Sequence, residues 1–222
     1  MSRSVYPLLA VAAWLVPVTL AASEPRAGFR QGPAVEGNRA PYDLVFSEDG
    51  RRAYVTEMAE GSVAEVDVPG RRVLRRFSTG GERPAGIALA KDGRALVVAN
   101  SYSASVAILD PIDGVRRHLV RLPGEPHGVA VSPDGATAYV TLRQLDEVAV
   151  LDVRNGAVRG RVRVGRRPQA LTLTPDGKTL TVGNLSGGSL SVIDTATLKE
   201  IVRVPLKGVN VRGLAFSASA TG

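Results

Sequence analysis

PHGVAVSPDGATAYVTLRQLDEVAVLDVRNGAVRGRVRV, residues 126–164, is the stretch that decides the fold. Gly128 to Ser132, Ala138 to Thr141 and Val148 to Asp152 are short, largely apolar runs, with Pro133-Asp134-Gly135 breaking the first from the second. After Arg154-Asn155-Gly156 the chain alternates, with Val158, Gly160, Val162 and Val164 set against Arg159, Arg161 and Arg163. A period of two gives a strand one buried face and one wet face. The stretch reads as four strands, with hairpin turns made by Asp-Gly and by Asp-x-x-x-Gly segments. Nothing in it carries a helical period.

The same unit recurs along the chain. The pairs Asp49-Gly50, Asp92-Gly93, Asp134-Gly135 and Asp176-Gly177 follow one another at intervals of 43, 42 and 42 residues. Asp67, Asp110, Asp152 and Asp194 keep those intervals, and so do Pro41, Pro84, Pro126 and Pro168. Three markers in one register over four units define a repeat. Four-stranded units at a period of about 40 to 45 residues are the mark of β-propeller blades. The expected fold is all-β, with about four complete blades at 40–82, 83–124, 125–166 and 167–209 and a partial fifth at 210–222.

Several motifs resemble the YVTN β-propeller repeat: Ser132-Pro133-Asp134-Gly135, Tyr139-Val140-Thr141, Tyr54-Val55-Thr56, Val192-Ile193-Asp194-Thr195 and Val164-Gly165. Glu57 and Leu142 stand where that motif has Asn, while Asn100 and Asn184 keep it. The resemblance covers Ala40 to Gly213. It implies a propeller, often of seven blades, and leaves function open, because such propellers include surface proteins, binding modules, lactonase-like enzymes and redox subunits. Val211 to Ser217 repeats the opening of a blade, so the expectation is a fragment of a larger propeller. The alternative is a small ring in which Phe29 to Arg39 and the last strand complete a blade.

Composition narrows the chemistry. With 222 residues, 44% of them hydrophobic and 22% charged, the chain has enough material for a core, and disorder, collagen and coiled coil are excluded. The absence of Cys rules out disulfides, zinc-thiolate sites, a cysteine nucleophile and Cys-x-x-Cys-His haem attachment within these residues. The 28 Lys and Arg against 21 Asp and Glu give a formal charge of +7. These basic residues are scattered in pairs without an aromatic stacking platform, so no nucleic-acid partner is expected. Residues 1–23 read as a secretory signal, with Arg3, an apolar Val5 to Leu20 and small residues up to Ser23. Residues 24–39 form a leader. A periplasmic, extracellular or cell-surface location follows, without stable membrane insertion after cleavage. An uncleaved anchor is the rival reading.

Recurrence separates scaffold from site. The Asp-Gly glycines and both aspartate sets recur in every unit, as turn geometry requires. Function is sought where equivalent positions differ. After each blade-opening proline or its counterpart stand Tyr42, Ala85, His127, Gln169 and Arg212, which the resemblance puts at the start of the innermost strand, facing the channel. After the second strand, on the same face, stand Glu57, Asn100, Leu142 and Asn184, with Tyr102 and Arg143 just beyond. Tyr42, Glu57, Asn100, His127, Arg143, Gln169, Asn184 and Arg212 are the candidate ligand-binding residues, and a solvated rim of the same composition is the other reading. His127 is the strongest single candidate, because imidazole titrates near neutrality. His118 reads as a surface residue.

No catalytic set, metal site or cofactor is expected. There is no Gly-x-Ser-x-Gly elbow, P-loop or Gly-x-Gly-x-x-Gly, and one histidine without a second makes no metal site. The leading expectation is an exported, non-catalytic propeller that binds an envelope or surface protein or a glycan through its channel face. The alternatives are a periplasmic redox subunit with an electron-transfer partner, resembling amine-dehydrogenase heavy chains or cytochrome-fused propellers, and a lactonase-like hydrolase using Glu57 and His127.

Overall fold

The structure, a computed structural model, describes residues 39–207 and 209–215. The expected signal of residues 1–23, almost all of the expected leader and the residues after 215 lie outside them. The described residues hold sixteen strands and no helix. β1 (Pro41–Phe46), β2 (Arg52–Glu57), β3 (Ser62–Asp67) and β4 (Arg72–Ser78) form the first antiparallel sheet in that order. The second holds β5 (Pro84–Leu89), β6 (Leu96–Asn100), β7 (Ser105–Leu109) and β8 (Arg116–Arg121). The third holds β9 (Pro126–Val131), β10 (Thr137–Leu142), β11 (Glu147–Asp152) and β12 (Val158–Arg163). The fourth holds β13 (Pro168–Leu173), β14 (Thr179–Asn184), β15 (Ser189–Asp194) and β16 (Lys199–Pro205). The first strands β1, β5, β9 and β13 neighbour one another in chain order, which makes them the inner strands of successive blades. Beyond β16 the start of a fifth blade packs Val211, which is buried, against Gly183.

The four blades share one turn chemistry. In each Asp-Gly hairpin the glycine has φ between 67° and 71° and donates its N–H to the carbonyl three residues back, as Gly135 does to Ser132 at 2.8 Å. Asp49, Asp134 and Asp176 each accept from a Ser or Thr hydroxyl and from a backbone amide two residues on. Those bonds favour the charged form and hold all three carboxyls below the usual range, the hydroxyl contributing most. The second set of aspartates closes the third hairpin, as when Asp152 accepts from the Arg154 amide at 2.8 Å.

The cores lie between blades. Val97, Ala99, Val106 and Ile108 of blade 2 meet Val140, Leu142, Ala149 and Leu151 of blade 3. On the other face of the same sheet, Leu96, Val98, Ala107 and Leu109 meet Tyr54, Val63 and Phe77 of blade 1. Tyr139, Val148, Val150 and Val162 face Leu180, Val182 and Ile193 in the same way between blades 3 and 4. A strand covered on both faces has no wet side, so β6 and β7 are buried throughout and read as unbroken apolar runs. The outermost strands carry the arginines. Arg75, Arg159 and Arg161 pair with Glu65, Asp152 and Glu147 on the neighbouring third strand, and Arg117 pairs with Asp110 just past it. A charged outer strand blunts an exposed sheet edge, which accounts for much of the basic residue content.

Inner strands approach so closely that glycine is required. A Cβ on Gly86 would lie 2.2 Å from the His127 carbonyl oxygen, and one on Gly128 2.2 Å from that of Gln169. Threonine ties blades together beside those contacts. Thr56 Oγ1 donates to the Ala85 carbonyl at 2.9 Å and Thr141 Oγ1 to that of Gln169 at 3.2 Å. Each also accepts from its own inner strand, from the Asp43 and Gly128 amides.

Candidate functional site

Each blade opens on a proline that pairs with the last residue of the second strand: Pro41 with Glu57, Pro84 with Asn100, Pro126 with Leu142 and Pro168 with Asn184. The ladder then slips in all four inner strands, leaving the residue after the proline in an irregularity. A bulge re-aims the side chain it carries. Tyr42, His127 and Gln169 accordingly line the channel cavities, whereas Ala85 is fully buried. The residue before each proline, Ala40, Arg83, Glu125 and Arg167, has φ between 48° and 59°. Its carbonyl accepts the amide just past the second strand, as Arg83 does from Ser101 at 3.1 Å and Glu125 from Arg143 at 3.1 Å. That bond holds the loop after the second strand beside the channel mouth.

Two cavities result. The mouth cavity, about 590 Å³, is lined by Tyr42, Arg83, Tyr102, Glu125, His127 and Arg143, with Met58, Ser101 and Gln144 completing its wall. The channel cavity, about 410 Å³, runs along the inner strands past Tyr42, Asp43, His127, Gln169 and Arg212. Tyr42 and His127 belong to both, and their side chains meet: Tyr42 Oη lies 3.0 Å from His127 Nε2, with the rings edge to face at 5.5 Å. This contact joins blade 1 to blade 3 where the two cavities adjoin.

His127 is buried, and its pKa is lowered from 6.5 to about 4, first by burial and then by the positive charge of Arg143. A hydrogen bond to the Gln169 backbone opposes that shift without reversing it. The ring is neutral at neutral pH, so one ring nitrogen carries a proton and the other can accept, and the tautomer sets which way the Tyr42 Oη–Nε2 bond runs. Asp43 has its pKa raised by desolvation, against the Leu44 and Ile87 amides that stabilise the charged form. Arg143 Nη1 donates to Glu125 Oε1 at 2.8 Å, and Gln144 Nε2 lies 3.4 Å from Glu125 Oε2. Arg83 is exposed and makes no side-chain hydrogen bond or ion pair. Tyr102 is 72% exposed and Tyr42 47%.

Of the eight residues that the sequence nominates, Tyr42, His127, Arg143, Gln169 and Arg212 line one cavity or both. Glu57, Asn100 and Asn184 line neither. Glu57 is buried, accepting from Ser62 Oγ at 2.7 Å and from Arg76 Nε at 3.1 Å. Asn100 is buried with its amide nitrogen on Ser105 Oγ, and Asn184 with its own on Ser189 and Ser191. Gly81 and Gly165 press against those two amides, where any Cβ would come within 2.4 Å of the amide nitrogen. The closing position of the second strand therefore fastens the blade from within. Of the Glu57 and His127 pair considered for a hydrolase, His127 borders both cavities and Glu57 neither. Nothing in the sequence pattern marks Arg83, Glu125, Met58, Ser101 or Gln144 as lining the mouth. His118 sits on an outer strand, with Nε2 3.0 Å from the Arg154 carbonyl.

Blades that succeed one another along their inner strands, with cavities against those strands, define a β-propeller protein. Among the solved structures that this chain matches is a β-propeller domain. It superposes on the hydrazine synthase of Kuenenia stuttgartiensis with a TM-score of 0.71 and 25% identity, over 80% of this chain and 52% of that one. The Cps50 (Swd1) β-propeller domain of Myceliophteria thermophila gives 0.68 and 20% identity, over 78% of this chain and 58% of that one. A functionally unknown protein from Desulfotomaculum acetoxidans gives 0.67 and 18% identity, over 75% of this chain and 56% of that one. The chain thus spans about half the length of the structures it matches. No protein-family model and no curated protein sequence matches it.

Proposed function

We propose that this chain is an exported, non-catalytic binding module of YVTN type that takes a protein, glycan or surface ligand at the channel mouth. The observation that carries this reading is the mouth cavity itself. It exposes two tyrosines and an unpaired guanidinium, while its one imidazole is buried, neutral and engaged by Tyr42. Exposed aromatic and Arg side chains around a concavity are the residues that dominate binding sites. A buried histidine held at a pKa of about 4 is a poor general base at neutral pH. Export rests on the pattern of residues 1–23, and YVTN type on the Ser132-Pro133-Asp134-Gly135 and Tyr139-Val140-Thr141 motifs. The test is quantitative capture of an envelope component by wild type and by a Tyr102→Ala, Arg83→Gln double variant. Capture that falls at an unchanged melting temperature supports the reading, and equal capture by both removes it.

A second reading has one observation in its favour. Identity of 25% to hydrazine synthase over 80% of the chain is consistent with a redox subunit that docks an electron carrier through its basic surface. Salt-sensitive association with an acidic c-type cytochrome, undisturbed by the double variant, would favour this second reading over the first.

A further inference from the structure

The mouth cavity carries a specific charge and shape. Its charged lining groups are Arg83, Arg143 and Glu125, which leaves one positive charge in excess while His127 is neutral. Glu125 engages Nη1 of Arg143 and leaves its Nη2 without a partner, and Arg143 Nε is buried with none. Arg83 has all of its donors free. The cavity lining thus offers two guanidinium groups and a single net charge. It also offers the rings of Tyr102, largely open to solvent, and Tyr42, about half exposed, together with Met58 and Ala104. A guanidinium fork matches the planar geometry of a carboxylate, and exposed rings gain by covering a planar apolar partner.

We propose that the mouth cavity binds an aromatic monocarboxylate, with its carboxylate on Arg83 and Arg143 and its ring against Tyr102 and Tyr42. This rests on the reading of the mouth cavity as the binding site and names the chemical class of its occupant. A phosphate dianion is disfavoured by the Glu125 carboxylate, which offsets one of the two arginines. A neutral aromatic would leave Arg83 and Nη2 of Arg143 without an acceptor.

Calorimetric titration of the full chain with benzoate, its neutral isostere benzamide and phenyl phosphate tests this directly. Benzoate binds saturably at one site, benzamide about tenfold more weakly, and phenyl phosphate no more tightly than benzoate. Arg83→Gln lowers benzoate affinity about tenfold, and Tyr102→Ala about fivefold. Arg83→Gln is the controlling variant, because that side chain is exposed and bonds to nothing, so its loss leaves the fold intact. Absence of saturable benzoate binding, benzamide binding within twofold of benzoate, tighter binding of phenyl phosphate, or an unaltered Arg83→Gln variant each overturns the assignment. If any of these occurs while the double variant still loses its envelope component, the ligand class is wrong and the binding site stands. If that capture is also unchanged, both are wrong.

Discussion

Two positions in every blade vary in polar identity, and their surroundings differ sharply. One follows the opening proline: Tyr42, Ala85, His127 and Gln169. The other closes the second strand: Glu57, Asn100, Leu142 and Asn184. They lie next to each other across the ladder, yet three of the first four reach the channel cavities and all of the second four are buried. The slip in the inner strand makes the difference. It turns the residue after the proline out toward the channel, while the closing residue, paired with the proline, points into the blade. Variation at the first position alters what the channel presents. At the second it is met inside the molecule, by Arg76 and Ser62 for Glu57, by the close loops of Gly81 and Gly165 for the two asparagines, and by the apolar core for Leu142.

The largest effect that probes this contrast is expected at Gly128, beside His127 in the slipped segment. Gly128→Ala drives a methyl group against the Gln169 carbonyl, and a loss of at least about 3 kcal/mol is expected in chemical denaturation. Gly93→Ala, at a hairpin tip where a Cβ meets nothing but φ is positive, is expected to cost about 1 kcal/mol. Equal costs would mean that the inner strands yield easily and the slip is soft.

Acidification probes His127 next. Its folded pKa of about 4 lies below the ordinary 6.5, so the unfolded chain takes the proton first. The stability contribution is fully present above pH 6.5 and is lost as pH falls toward 4, by about 3 kcal/mol in all. Asp43, whose pKa is raised, acts in the opposite sense as it protonates. His127→Gln should flatten the denaturation profile between pH 6.5 and 4. An unchanged slope in the variant would show that the ring is not the buried neutral group described.

At the closing position, Asn184→Ala removes the bonds to Ser189 and Ser191 and is expected to cost about 2 kcal/mol without altering binding at the mouth. Tyr102→Ala, at an exposed side chain in the mouth, is expected to change stability by less than about 0.5 kcal/mol while weakening binding. Paired melting and binding measurements on these two variants separate a fastening role from a contact role.

Much of the architecture is legible in the sequence because it recurs. Pro41, Pro84, Pro126 and Pro168 begin the four inner strands, and the Asp-Gly pairs form their hairpins. Val158 to Val164 alternates because an outer strand has a wet face, and β6 and β7 are continuous because theirs are both covered. The other left-handed positions escape notice because residues other than glycine hold many of them: Arg71, Ala104, Asp146 and Leu198 all have positive φ in turns. The site is less legible for a related reason. A period of two cannot be carried across a slip, so Glu57, Asn100 and Asn184 look as channel-facing as Tyr42 and His127. Arg83 and Glu125 owe their place in the mouth to a backbone conformation that no side-chain pattern reports.

The channel mouth is proposed to bind, and the closing positions fasten the blades. The most direct test is to measure, on the same preparations, envelope-component capture and melting temperature for Tyr102→Ala with Arg83→Gln and for Asn184→Ala. Lost capture at an unchanged melting temperature is expected for the first, and retained capture at a lowered melting temperature for the second. Capture that survives the mouth substitutions, or that fails with Asn184→Ala while the protein remains folded, would contradict that division of roles.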